Sequence, residues 1–315
     1  MAMTLEQYAD WLDDRDLPWP VCSEIEKPRV KPHLVKLPEV RVILWNVYGT
    51  LLAITGGELW FENPRKVIMD MVLEKTIQEF KMWGSMSRKP GQPSEYFGQI
   101  YQKVFLEQKM ASSGGEKYPE ICSEKIWEAI VKKLLQKDYQ FDTGFYGSLN
   151  EYCQKIAYFF HASLQGTACY PKAGDILNLC PGKGIRQGLL ADGQCFTMVQ
   201  LQRGLKKQNS SLIPGIFQPD KVVLSWQMKG KKPSERLMKA GMQPWLDMGI
   251  KPSQILHVGS RLEQDIQPAR RLGMRTALFA GDRASLQATA ELINDPRNRP
   301  DLLLTDLWQL DQVVG

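Results

Sequence analysis

The chain is poor in histidine, with three, and its six cysteines include no C-x-x-C pair. That spacing argues against a zinc site, and thiols set within apolar or helical segments fit a reducing compartment. No apolar run approaches the roughly 20 residues that a membrane-spanning helix requires. The opening "MAMTLEQYADWLDDRD" is acidic and has no continuous apolar stretch, so it does not read as a secretory signal. Charge of one sign is not concentrated either. The 40 basic and 35 acidic residues leave a net charge of +5, and clusters such as Lys132-Lys133, Lys206-Lys207 and "KGKK" at 229–232 are interleaved with acids. Nucleic-acid binding calls for a concentrated basic patch with aromatic platforms. These absences lead to the expectation of a cytoplasmic protein that binds neither membrane nor nucleic acid.

What is present is ordinary globular patterning. At 315 residues and 43% hydrophobic content, the chain suits one large domain carrying an insertion. In "TLEQYADWLDDRDLPWP", a Thr cap signal precedes a helical face of Leu5, Tyr8 and Leu12. The following "EKPRVKPHLVKLPEV" holds three prolines and is expected to run extended over the surface. A strand at 41–45 ends at Asn46. Helical periodicity then dominates, with a helix expected over 64–83, a loop "GSMSRKPGQPSE", and two apolar stripes. One is Ile126, Trp127, Ile130, Val131, Leu134 and Leu135; the other is Leu149, Tyr152, Cys153, Ile156, Phe160 and Leu164.

From about 170 the pattern alternates strand and helix, with strands expected at 185–191, 221–225, 254–258, 275–279 and 301–305. Short, nearly continuous apolar strands between helices indicate an α/β fold with a doubly wound parallel sheet covered on both faces. The expected division is an N-terminal extension at 1–40, an α/β core from 41–54 and 168–315, and a helical insertion at 55–167. In such sheets ligands bind at the carboxyl ends of the strands. Those ends hold Asn46 to Thr50, Ala191 with Asp192, Lys231-Lys232-Pro233, and Gly259 to Asp265.

The four stretches "NVYGTLL", "GIRQGLLADGQ", "LSWQMKGKKPSERLM" and "ILHVGSRLEQDIQPARRLGMRTALF", in that order and with a helical insertion after the first, resemble the haloacid dehalogenase (HAD) superfamily. The resemblance spans roughly 40–314. It implies a Rossmannoid core with the insertion as a helical cap. It also implies a hydrolase whose aspartate, at the end of the first strand, forms a covalent intermediate with the substrate. In the family's phosphatases a second aspartate two residues later acts as acid or base, and Mg²⁺ neutralises the phosphate.

This chain departs from that pattern at the nucleophile itself. Asn46 stands there, and a neutral amide is neither a nucleophile nor a charged metal ligand. Tyr48 replaces the second aspartate and is similar to the D-x-Y-G-T form of the metal-free 2-haloacid dehalogenase branch. Gly49 and Thr50 are retained, the glycine for a tight turn. The second motif offers Ala191 and Asp192 where the family presents a hydroxyl to an anionic substrate, and a neighbouring negative charge disfavours an anion. Lys232, with Lys231 beside it, fits the family's lysine. Ser260 stands where phosphatases place a metal-binding aspartate, and Asp265 follows.

Read together, Asn46, Tyr48, Thr50, Lys232 and Asp265 form the candidate catalytic set, with Ala191, Asp192, Lys231 and Ser260 as candidate substrate contacts. Lys232 is expected to pair with Asp265. Asp265 precedes Pro268, so a helix-capping role is the competing expectation. His257 is expected in the core. Losing a catalytic nucleophile costs about a millionfold in rate, roughly 8 kcal/mol of barrier. No metal site is expected, and Mg²⁺ is only weakly supported. The expected function is a catalytically impaired HAD-like protein acting as a binding or structural module. The alternative is an active phosphatase- or 2-haloacid-dehalogenase-like hydrolase of a small anionic substrate, with water activated by Asp192 or Asp265. A protein partner or self-association through the insertion and N-terminal extension remains open.

Overall fold

The computed structural model describes residues 2–85, 93–110, 115–208, 212 and 214–315. Its centre is a six-stranded sheet of β1 (Val42–Trp45), β4 (Arg186–Ala191), β5 (Val222–Leu224), β6 (Ile255–Gly259), β7 (Arg275–Phe279) and β8 (Leu302–Leu304). The strand order is β5-β4-β1-β6-β7-β8, and every neighbouring pair is parallel. Each expected core strand is present, trimmed by a residue or two at some ends.

Side chains alternate across a strand, and β1 shows the consequence. Ile43 and Trp45 join the apolar cluster on one face, with Leu189 and Leu177, while Val42 and Leu44 join Leu190, Leu237 and Trp245 on the other. The buried Trp45 indole donates to Gln187 Oε1 at 3.0 Å, and Gln187 in turn donates to the Leu177 carbonyl at 2.8 Å. The helices Ala173–Gly182 and Glu235–Leu246 supply these facing layers.

Two short strands follow and precede the helical segment. β2 (Leu52–Ile54) pairs antiparallel with β3 (Thr167–Cys169), so the segment between them leaves and re-enters the sheet region through one ribbon. Three-residue strands carry no readable period, and this ribbon is absent from the sequence-based expectation.

The helices Lys66–Glu79, Pro93–Met110, Ser123–Leu135 and Leu149–Leu164 share a second apolar core containing Phe97, Tyr101, Trp127, Ile130 and Phe160. The first of them is shorter than the expected 64–83, ending before a 3₁₀ turn at Met82–Ser85. Residues 86–92 of the expected loop lie outside the described residues. Helix Leu149–Leu164 starts at a capping box in which Ser148 and Glu151 satisfy each other's backbone N–H groups. Apolar side chains also remain exposed on this layer, among them Val67, Met71, Leu106 and Met110.

The N-terminal helix Leu5–Asp13 begins with a second capping box, Thr4 with Gln7. It buries Tyr8 and Leu12 in the helical layer's core. Its acidic face reaches the helix Thr197–Lys207, with Arg203 Nε 2.8 Å from Asp13 Oδ2 and Lys206 Nζ 2.7 Å from Asp10 Oδ1. The proline-rich stretch is not merely extended. His33 exchanges backbone hydrogen bonds of 2.9 Å with Leu303, covering the outer edge of β8. All six cysteines are free thiols, and no helix among the described residues is long and apolar enough to cross a membrane.

Candidate functional site

β1 delivers Asn46 to the carboxyl end of the sheet, where its N–H donates to the Val258 carbonyl of β6 at 2.8 Å. The chain then turns tightly, with the N–H groups of Thr50, Leu51 and Leu52 all directed to the Val47 carbonyl at 2.9–3.1 Å. Gly49 makes this turn at φ +78°, and a Cβ there would sit 2.5 Å from Ser260 Oγ and 2.9 Å from Ser285 Cβ. Both the backbone conformation and the close approach of the loop after β6 require glycine.

The Asn46 amide is buried and used at both ends. Its Nδ2 donates to the Tyr48 carbonyl at 3.0 Å, and its Oδ1 accepts from Lys232 Nζ at 3.0 Å. Lys232, from the loop after β5, also donates to the Leu190 carbonyl at 3.4 Å and forms a buried ion pair with Asp265 Oδ1. Asp265 Oδ2 accepts the Arg261 N–H at 3.0 Å, with Arg261 Nε 3.7 Å away. Arg261 Nη2 continues to Asp192 Oδ2 at 2.7 Å, and Asp192 Oδ1 accepts the Lys232 backbone N–H at 2.7 Å. Lys232, Asp265, Arg261 and Asp192 therefore close a ring of alternating charge.

Burial alone raises a carboxylate's pKa, but Lys232 and Arg261 outweigh it and hold Asp265 well below the usual range. His257, within β6 and fully buried, donates from Nδ1 to the Leu44 carbonyl at 3.0 Å. Burial lowers its pKa, which keeps it neutral; Nδ1 then carries the proton toward that carbonyl. Its Nε2 stands 3.8 Å from Asp265 Oδ1, beyond hydrogen-bond reach.

The structure brings Asn46, Asp192, Lys232 and Asp265 into one network, which Tyr48 joins through its carbonyl alone, and leaves the side chains of the other candidates outside it. The Tyr48 hydroxyl donates instead to Gln200 Oε1 at 2.6 Å and lies 3.0 Å from Thr197 Oγ1. Thr50 is buried with its hydroxyl unpartnered, and Ala191 is sealed at the end of β4. Ser260 is buried against Gly49, and Lys231 is exposed, its N–H donating to the Tyr118 carbonyl at 2.8 Å. Two expectations need correction. Asp265 does not cap the helix Gln267–Arg271, whose N-cap is Ile266; it lies inside the turn Leu262–Ile266 and turns back to Arg261. Asp192 is not an uncompensated negative charge, because Arg261 neutralises it.

Two further residues matter that sequence reasoning passed over. Arg261 lay within a quoted motif, four residues before Asp265, where an i,i+4 pairing was readable. Glu120 carried no such signal. The segment around it lies over the loop after β5, with Pro119 bridged to Gly230 and the Glu120 N–H donating to the Lys229 carbonyl at 3.3 Å. Ser225 Oγ hydrogen-bonds the Glu120 carboxylate and accepts the Gly193 N–H at 2.9 Å. Burial, and then the nearby Asp192, push the Glu120 pKa up to about 7.

This arrangement has few free valences. Four cavities among the described residues, of about 30 to 770 Å³, have linings that do not include Asn46, Lys232 or Asp265. Mg²⁺ demands near-octahedral oxygen donors at about 2.0–2.1 Å. Here the Tyr48 carbonyl faces an amide N–H, Asp265 faces two cations, and Asn46 contributes no charge. The residues present do not fit that ion. No group of three or more His, Cys, Asp or Glu side chains among the described residues is arranged to hold a metal.

The HAD-hydrolase-like family model matches residues 230–310, the part of the chain that carries Lys232, Arg261 and Asp265. Among solved structures, the chain is similar to a 2-haloacid dehalogenase from Pseudomonas syringae pv. Tomato. The two share 14% identity over 87% of this chain and 97% of that one, with a TM-score of 0.50. It is also similar to a HAD phosphatase from Thermococcus onnurineus, at 15% identity over 87% and 97% of the two chains, with a TM-score of 0.47. No curated protein matches it by sequence. Likeness at such identity speaks for fold and not for chemistry. The chain has the fold of the HAD-like hydrolases, with a sequence match to that family over 230–310.

Proposed function

We propose that this HAD-like protein does not perform the family's covalent chemistry and acts as a binding or structural module, a degenerate member of the D-x-Y-G-T branch. The observation that carries this reading is the Lys232–Asp265 pair closed over the Asn46 amide. A lysine that balanced a catalytic carboxylate would lose its partner on Asp-to-Asn replacement. Here Asp265 supplies the counter-charge, so the centre is satisfied without substrate or metal. The rival reading needs Asp192 or Asp265 to activate water, yet each is already engaged by a cation. A carboxylate held well below its usual pKa is a weak base.

In this reading residues 55–167 form a cap over a core of 41–54 and 168–315. The protein works in the cytoplasm, and its partner is a small anionic ligand or another protein. The test is turnover of a panel of phosphomonoesters, with Mg²⁺, and of 2-haloacids. The natural chain and Asn46→Ala are expected to match the background rate equally. Turnover that disappears in Asn46→Ala overturns the proposal. Activity appearing only in Asn46→Asp would reveal a pocket preserved around a missing charge.

A further inference from the structure

The N-terminal segment and the helical layer together border an open cavity of about 770 Å³, and its lining includes no residue of the Asn46 site. That volume is in the range of small-molecule sites, which are mostly apolar with a few placed polar groups. Trp11, Arg15 and Leu17 enter from the N-terminal segment, and Phe141, Phe145 and Tyr146 from the stretch before helix Leu149–Leu164. The aromatic wall is ordered by edge-to-face and stacked contacts. Trp11 meets Phe145 at 5.1 Å and 70°, Phe145 meets Tyr146 at 4.7 Å and 79°, and Phe141 stacks on Tyr152 at 4.1 Å and 6°. Phe141, Phe145, Tyr146 and Trp11 are only partly buried, so ring surface remains open to a ligand.

The charged groups of the lining are not equivalent. Glu79 is held by Arg15, one arm of the pair at 3.0 Å, and Asp142 accepts the Phe145 N–H at 3.0 Å. Lys75 is half-buried and makes no ion pair among the described residues. Its Nζ donates to the Pro18 carbonyl at 2.6 Å and lies 4.2 Å from the Trp19 ring and 5.5 Å from that of Phe159. Lys81, also in the lining, is exposed at φ +50°, a conformation uncommon for a side-chain-bearing residue. Behind the wall, the fully buried Tyr8 hydroxyl has no partner, although its ring packs on Trp11, Phe80 and Tyr146. The lining thus sets three cations, Arg15, Lys75 and Lys81, against two carboxylates, Glu79 and Asp142, and leaves an excess of positive charge beside the aromatic wall.

We propose that this cavity binds a planar aromatic anion, such as an aromatic carboxylate, with its ring against the Phe145 and Tyr146 side of the wall and its acid group on Lys75. A neutral aromatic would leave the cations unanswered, and an aliphatic acid would forgo the ring contacts. The assignment gives the N-terminal extension a role in completing a site, and it stands independently of the reading of Asn46.

The test is calorimetric titration of the full chain with 2-naphthoate, 2-naphthalenemethanol and octanoate. Saturable binding of naphthoate is expected, at least about tenfold tighter than either of the others. Lys75→Met keeps an apolar stem over Trp19 and should weaken naphthoate about tenfold while leaving naphthalenemethanol unchanged. Phe145→Ala, at a partly buried position, should weaken both aromatic probes. Absence of saturable naphthoate binding overturns the proposal. So does octanoate binding as tightly as naphthoate, or naphthoate affinity that survives both substitutions in chains shown to be folded.

Discussion

The carboxyl end of β1 and the aromatic cavity of the helical layer resolve the same problem in opposite ways. At the first, buried charge is internally balanced: Lys232 has Asp265, Asp192 has Arg261, and the Asn46 amide fills the remaining space between them. At the second, ring surface and the Lys75 ammonium are left without equivalent partners. The position at which a parallel α/β sheet ordinarily meets its ligand is thus given over to self-contained electrostatics. The cavity proposed to bind an aromatic anion lies instead where Trp11, Arg15 and Leu17 meet the helices. Location within a fold is a weaker guide to function than the balance of partners at each location.

That contrast can be broken most directly at the charged centre. Asp265→Ala leaves the Lys232 ammonium buried without its counter-charge and should cost about 3–5 kcal/mol, read from the shift of the denaturant midpoint. Replacing both partners, Lys232→Met with Asp265→Leu, should recover most of that loss, because an apolar pair of similar volume needs no solvation. A cost below about 1 kcal/mol for Asp265→Ala, the range of an exposed pair, would mean that the centre is open to water rather than closed.

A smaller effect is expected from Glu120, which joins the helical segment to the charged loops. Its pKa is raised to about 7 in the folded protein, first by burial and then by Asp192. The folded state therefore prefers the protonated form. The stability it contributes is fully present below the unfolded pKa of about 4.3 and is lost as pH rises to about 7. The loss is on the order of 3 kcal/mol. Glu120→Gln should flatten the thermal-stability profile across that window, and a profile unchanged by the substitution would place the carboxyl in water. The smallest effect belongs to the helical layer. Ser148→Ala removes the cap of helix Leu149–Leu164 and should destabilise by about 1 kcal/mol, read by chemical denaturation.

Much of the architecture was legible because its signals are local. Alternating strand and helix from about 170, the stripes through Trp127 and Phe160, and Thr4 as a cap depend on neighbours a few residues away. The ribbon of β2 and β3 was not legible, since three residues cannot establish a period and its pairing joins positions more than a hundred residues apart. In the candidate site, the Lys232–Asp265 pairing was readable from motif order. The reach of Arg261 across to Asp192 was not, because the two lie on different strand ends far apart in the chain. Glu120 lies in the non-helical stretch before helix Ser123–Leu135, and nothing in its sequence surroundings marks a residue that will rest against Ser225.

By itself the sequence determined the chemical content of the molecule: an amide rather than a carboxylate at position 46, a lysine in the third motif, and enough periodic apolar surface for a sheet core and a helical layer. Only the tertiary structure decided which charges neutralise one another and which stand alone. Ion pairing and desolvation act through space, over distances set by strand order and helix docking, whereas helical and strand periods are read along the chain. Asn46, Asp192, Lys232 and Asp265 come from four different strand ends and meet because β5, β4, β1 and β6 are neighbours in that order. Lys75, one helical turn from a Glu79 that is held by Arg15, meets Trp19 and a carbonyl from the N-terminal segment.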